Sequence, residues 1–292
     1  MTKFAPRRIL CPVDFSEQSV AALRVAGNMA RIFDAEVLVL HAQQFDAPVY
    51  FTAAQVQSLK AQLRRSLRSA REYLEEFVRI NLPRGVSRSI RVAEHDPVEA
   101  ILAMDREWRP DLLVMGTHGR TGWTRIRLGS VMESIFRQMR GPLITVGPKV
   151  KAVGRGPLRR IVSPVDLNDI SRGTFQYSLA LAERTKAEVI ALHVLEPTVE
   201  PGRNGDVKEL CDWVSPEARA HCSVHELVRS GTPADRIVAE AKSARADLIV
   251  LGAQPRSYLG GLVFGSTTEA VVRTAPCPVM SIIYPRGRKS SS

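Results

Sequence analysis

Arg8-Ile-Leu-Cys-Pro-Val-Asp14 returns 152 residues later as Arg160-Ile-Val-Ser-Pro-Val-Asp166, and this repetition decides the architecture. Working outward, Ala35-Glu-Val-Leu-Val-Leu-His41 recurs at the same spacing as Ala187-Glu-Val-Ile-Ala-Leu-His193. Pro110-Asp-Leu-Leu-Val-Met-Gly116 pairs with Ala246-Asp-Leu-Ile-Val-Leu-Gly252, and Gly129-Ser130 with Gly265-Ser266, at the shorter spacing of 136. The second copy has therefore lost 16 residues between His193 and Gly252. Self-similarity at fixed spacing marks a duplicated folding unit. The expected organisation is one domain over 1–148, a Gly- and Pro-rich linker over 149–158, a second domain over 159–285 and a flexible tail over 286–292.

Within each copy, short apolar runs alternate with helical patterns. Ile9 to Val13, Val37 to Leu40, Leu112 to Met115 and Leu143 to Val146 are continuous aliphatic runs, as strands covered on both faces should be. Ser16 is placed to cap a helix whose apolar face is Val20, Leu23, Gly27 and Ala30. Residues 54–80 form a basic helical pattern with Val56, Leu59, Leu63, Leu67, Ala70 and Leu74 on one face, and a third helix is expected from Pro97 to Trp108. Strictly alternating strands and helices imply an α/β fold with a parallel, doubly wound sheet, which binds ligands beyond the carboxyl ends of its strands. The loops after Val13 and Met115 are the places to look.

The composition excludes several classes. The chain has 292 residues, 45% of them hydrophobic, but no uninterrupted apolar run near the ~20 residues that span a bilayer. Its four cysteines form no CxxC pair, and the opening MTKFAPRRILCPVDF has neither an apolar core nor a small-residue cleavage site, so the cytoplasm is the expected compartment. The net charge of +11 divides as +7 over 1–150 and +4 over 151–292, which favours anionic ligands mildly and makes neither half a nucleic-acid domain.

After Met115 comes Gly116-Thr-His-Gly119, then nine residues, then Gly129-Ser130 opening a helix. Glycines just past a buried strand permit positive φ and close approach of a ligand. Gly-Ser at a helix start offers free N–H groups, a hydroxyl and the positive end of the dipole to a phosphate. The plainer alternative is that these glycines only end a strand and start a helix.

The spacing G-x2-G-x9-G-S resembles that of the ATP-binding members of the universal stress protein family. The opening Ile9-Leu-Cys-Pro-Val-Asp-Phe-Ser-Glu17, the strand ending in His41, and the closing Gly141-Pro-Leu-Ile-Thr-Val146 and Ala275-Pro-Cys-Pro-Val-Met280 are also similar to that family. The resemblance covers nearly all of both halves. It implies two Rossmann-like domains of the adenine nucleotide alpha hydrolase type. Each would be a five-stranded parallel sheet of order 3-2-1-4-5, paired with the other through its last strand. It further implies ATP, with Mg, in the cleft between strands 1 and 4, and a homodimer in addition to the pairing inside the chain. Carried over residue by residue, Pro12, Val13 and Asp14 would line the base and sugar end, with Ala42 a thinner wall than the Val often found there. Met115, Gly116, His118, Gly119, Arg120, Gly129, Ser130 and Val131 would surround the phosphates, while Met132 stands where some ATP binders have Thr. The second half keeps Pro164, Asp166, Val194, Gly252, Gly265 and Ser266, but Pro255 replaces the glycine equivalent to Gly119. Proline has no N–H and cannot take positive φ, so a weak or empty second site is expected.

Other features carry less. His41 and His193 close equivalent strands and read as structural. Cys211, His221, Cys222 and His225 are potential zinc ligands, although their spacing is no standard finger. Arg64, Arg65, Arg68 and Arg71 share the basic helix with Glu72, Glu75 and Glu76, and read as a solvated face or an anionic-partner surface. A regulatory ATP-binding protein is the leading reading. A slow ATPase or nucleotidyl-transfer enzyme, and an adaptor that binds no nucleotide, are the alternatives.

Overall fold

The computed structural model describes residues 4–43, 53–118, 129–150, 156–195, 204–254, 256–258, 261–263 and 265–284. In the first half the order is β1 (Arg8–Pro12), α1 (Glu17–Phe33), β2 (Glu36–Ala42), α2 (Ala53–Asn81), β3 (Arg88–Ala93), α3 (Pro97–Trp108), β4 (Leu112–Gly116), α4 (Ser130–Gln138) and β5 (Gly141–Val146). The second half follows with β6 (Arg160–Val165), α5 (Asp169–Thr185), β7 (Glu188–Leu195), α6 (Asn204–Trp213), α7 (Pro216–His221), β8 (Ser223–Ser230), α8 (Pro233–Ser243) and β9 (Leu248–Ala253). It ends with β10 (Arg256–Tyr258), β11 (Gly261–Val263), α9 (Ser266–Thr274) and β12 (Val279–Ile283).

The expected helix starts are made by the expected chemistry. The hydroxyl of Ser16 accepts the Ser19 N–H at 3.2 Å, and Asp96 accepts the N–H of Val98 at 2.8 Å with Pro97 in the first turn behind it. The basic helix extends one residue beyond its predicted limits at each end, and its last turns bury Leu74, Phe77 and Val78 while Arg64, Arg65 and Arg68 stay exposed.

The strands form one ten-stranded sheet, β3-β2-β1-β4-β5-β12-β9-β6-β7-β8. Each half therefore has the order 3-2-1-4-5, and all pairs are parallel except β5 with β12. That one antiparallel seam runs from Gly141↔Ile283 to Thr145↔Val279, and the Thr145 hydroxyl donates across it to the Val279 carbonyl at 3.2 Å. Two hydrophobic layers cover the sheet, and each draws residues from both halves. One holds Ile9, Leu23 and Phe77 with Phe175 and Trp213; the other holds Leu10, Ile101 and Phe136 with Ile237 and Val271. Cys11, in the first layer, is fully buried, and desolvation pushes its thiol far above the ordinary range.

Two features of the repeat position the site. Asp111 accepts the N–H groups of Arg7 and Arg8 at 2.8 and 2.9 Å, and Asp247 accepts those of Arg159 and Arg160 at 2.7 and 3.0 Å. These carboxylates pin the start of the first strand to the start of the fourth in each half. The pairing itself is short: β1 meets β4 only at Ile9↔Leu112 and Leu10↔Leu113, and β6 meets β9 only at Ile161↔Leu248 and Val162↔Ile249. Pro12 and Pro164, which have no N–H to offer a ladder, follow two residues later. The strands then part, and a cleft opens at the point where the strand order reverses.

Candidate functional site

A cavity of about 310 Å³ lies in the parting between β1 and β4. The end of β1 supplies Pro12, Val13 and Asp14, and β2 supplies Leu40 and Ala42. The first turns of α3 close it with Pro97 and Ile101, while β4 and the residues after it give Met115, Gly116, Thr117 and His118. Gly129, Ser130, Val131 and Met132 form the last wall. Ten of the twelve residues expected to hold nucleotide in the first half thus border one cavity; Gly119 and Arg120 lie outside the described residues. The cavity is apolar along Pro12, Leu40, Ile101 and Met115, and polar around Asp14, His118 and Ser130.

Asp14 is held in a fixed orientation. Its backbone N–H donates to the Ser19 hydroxyl at 3.0 Å, and that hydroxyl donates to Asp14 Oδ1 at 2.6 Å. The Ser16 N–H reaches the same oxygen at 3.1 Å. Ser19 itself is buried, one turn into α1. Sequence reasoning passed over it, because a serine inside a helix carries no signal until the strand end is known to lie beside it.

Thr117 is the second residue that sequence reasoning missed. It is fully buried; its N–H donates to the Val146 carbonyl at 3.1 Å and its carbonyl accepts the Gly129 N–H at 3.0 Å. Its hydroxyl lies 2.9 Å from His118 Nδ1. Thr117 therefore ties β4, β5 and the start of α4 together and sets where that helix begins. Gly129 caps α4 without a side chain, so the first-turn amides meet the cavity with no capping group competing for them.

The glycines act differently from the expectation of positive φ. Neither Gly116 nor Gly129 is among the residues with positive φ. A Cβ at Gly116 would lie 2.8 Å from Gln18 Cβ, and one at Gly129 would lie 3.1 Å from the Thr117 carbonyl oxygen. Their requirement is the close packing of α1 and of the Thr117 peptide, with the cleft as its by-product. His41 has the structural place expected of it: its Nδ1 lies 2.9 Å from the Val13 carbonyl, as that of His193 lies 2.8 Å from Val165.

In the second half, Pro164 and Asp166 end and follow β6, Val194 lies on β7, Gly252 on β9, and Gly265 and Ser266 open α9. Pro255 lies outside the described residues, but the stretch after it contains the antiparallel hairpin β10–β11, paired from Arg256↔Val263 to Tyr258↔Gly261. The zinc candidates separate. His221 closes α7 with Nδ1 2.8 Å from the Glu217 carbonyl, and Cys222 lies between that helix and the strand with its Sγ 3.5 Å from the Leu179 carbonyl. His225 Nε2 lies 2.7 Å from Glu188 Oε1. The strand begins only at Ser223, so no continuous ligand face runs from His221 to His225, and the described residues contain no group of three metal-binding side chains.

Comparison with known proteins agrees with this architecture. The model of the universal stress protein family matches residues 6–147 and again 157–282. A universal stress protein of Mycolicibacterium smegmatis is 26% identical over 95% of this chain and 97% of its own length. One from Methanocaldococcus jannaschii is 31% identical over 46% of this chain and 86% of its own. The crystal structure of a universal stress protein from Archaeoglobus fulgidus superposes with a TM-score of 0.71 at 21% identity, covering 95% of this chain and 98% of that one. The repeat, the two 3-2-1-4-5 half-sheets and the two matched segments together make this chain a member of the universal stress protein family.

Proposed function

We propose that the first half is an adenine-nucleotide receptor, holding ATP with Mg, and that the chain acts as a regulatory protein whose bound state is read by partners. The observation that carries this reading is the single cavity in which the fixed carboxylate of Asp14 faces an apolar floor on one side and the uncapped start of α4 on the other. Its volume is within the range of small-molecule pockets, roughly 300–1,000 Å³. The base would lie against Pro12, Val13 and Ala42, the sugar beside Asp14, and the phosphates at the first-turn amides of Ser130 and Val131, with His118, Gly119 and Arg120 around them. Asp14 is an isolated carboxylate on this wall, so the phosphates themselves would supply most of the magnesium's ligands.

The second half would hold nucleotide weakly or not at all, since Pro255 removes a donor where Gly119 stands in the first. All four cysteines are free thiols, and no helix among the described residues is long and apolar enough to cross a membrane; both features suit the cytoplasm. Calorimetric titration of nucleotide-free protein with Mg-ATP tests the reading. One site per chain, abolished by Gly119→Pro, is the expected result. Two equal sites would overturn the assignment of a weak second half, and no heat at millimolar ATP would overturn the receptor itself.

A further inference from the structure

The two halves build the turn after their first strand with the same backbone. Phe15 and Leu167 both sit in the left-handed region, at φ 65° and 62°, and the residues that follow, Ser16 and Asn168, are both extended at φ −73°, ψ 166° and φ −87°, ψ 174°. Each aspartate N–H then donates to the serine five residues on, at 3.0 Å from Asp14 to Ser19 and 3.1 Å from Asp166 to Ser171, and each serine hydroxyl returns a bond to Oδ1. Within this matched frame the capping residue differs. The Ser16 hydroxyl caps the Ser19 N–H and points to Ser19 Oγ at 3.4 Å. Asn168 caps the Ser171 N–H through Oδ1 at 2.8 Å, which leaves its Nδ2 to donate to Asp166 Oδ2 at 2.7 Å. The amide orientation follows from chemistry, because only the oxygen can accept the backbone N–H and only the nitrogen can donate to a carboxylate.

We infer that the capping residue of α1 and α5 decides which half recognises a sugar: Asn168 supplies from within the chain the hydrogen bond that a ribose hydroxyl would give to Asp166, and Ser16 supplies no such bond to Asp14. The inference rests on the nucleotide reading of the first half. It makes the second half unreceptive at its sugar end as well as at its phosphate end, by a residue outside the glycine motif. A ligand hydroxyl entering there must displace a donor that is already bonded to a charged acceptor, whose bond is stronger than a neutral one.

Transplanting the amide tests this. Full-length wild type, Ser16→Asn and Ser16→Gly are titrated calorimetrically with Mg-ATP and with Mg-2′,3′-dideoxy-ATP, which lacks both sugar hydroxyls. Wild type is expected to prefer ATP, and Ser16→Asn to lose roughly tenfold in ATP affinity with dideoxy-ATP affinity unchanged, so that the preference disappears. Ser16→Gly, with no amide to offer, keeps the preference. Asparagine is as good a helix cap as serine, so thermal unfolding of Ser16→Asn should match wild type. A preference that survives in Ser16→Asn, a loss shared equally by both nucleotides, or a preference lost in Ser16→Gly would overturn the inference, as would a wild type that binds both nucleotides alike. A wild type that binds neither would instead overturn the receptor reading on which it rests.

Discussion

Gly116 shows how one residue's reason can differ from its effect. A methyl group there would press on Gln18 Cβ at 2.8 Å, in the helix that must lie flat on β4. Gly116→Ala is expected to destabilise the chain by roughly 1–3 kcal/mol, read as a lower urea midpoint with the slope unchanged. The loss should appear with or without nucleotide, because the clash is between protein atoms. The glycine motif was legible in the sequence as spacing, and its members border the expected cavity, but the physical cause was hidden. Positive φ is a property of local backbone, whereas the approach of Gln18 is set by how α1 crosses the sheet. Ser19 and Thr117 stayed unread for the same reason: their partners are 5 and 12 residues away along the chain, at distances that only the folded strands fix.

At the scale of elements, the starts of helices were more legible than their ends. Ser16 and Pro97 announce α1 and α3 by side-chain chemistry that acts within a few residues. The ends of α1, α3 and α5 carry no glycine; Asp34, Arg109 and Lys186 take the left-handed conformation instead, at φ 54°, 49° and 60°. Each stores local strain, and Arg109 is exposed, so Arg109→Gly is expected to raise stability by about 0.5–1 kcal/mol in thermal unfolding. The strand β3 was not singled out from sequence, since Arg88, Ser89 and Arg91 give Arg88–Ala93 the polarity of an edge. The hairpin β10–β11 was not legible either, with three residues a side and no long apolar run.

At the scale of the whole molecule, the two repeats share more than a seam. Phe4, ahead of β1, packs its ring against Phe33 at 5.5 Å and against Tyr177 of the other half at 5.2 Å, and Arg184 Nε donates to the Ile32 carbonyl at 2.9 Å. With both core layers continuous across the seam, the chain is expected to unfold as one cooperative unit. Phe4→Ala should cost about 3 kcal/mol, and hydrogen exchange should then quicken in β2 and β7 together. Faster exchange in β2 alone would mean that the halves open independently. The antiparallel seam has one more consequence. Strand direction reverses there, so the carboxyl ends of the first half's strands and those of the second lie along opposite margins of the sheet. The two switch points consequently face away from each other. A partner that settles over one margin leaves the opposite margin bare, so the two halves must be addressed separately, from the front and from the rear.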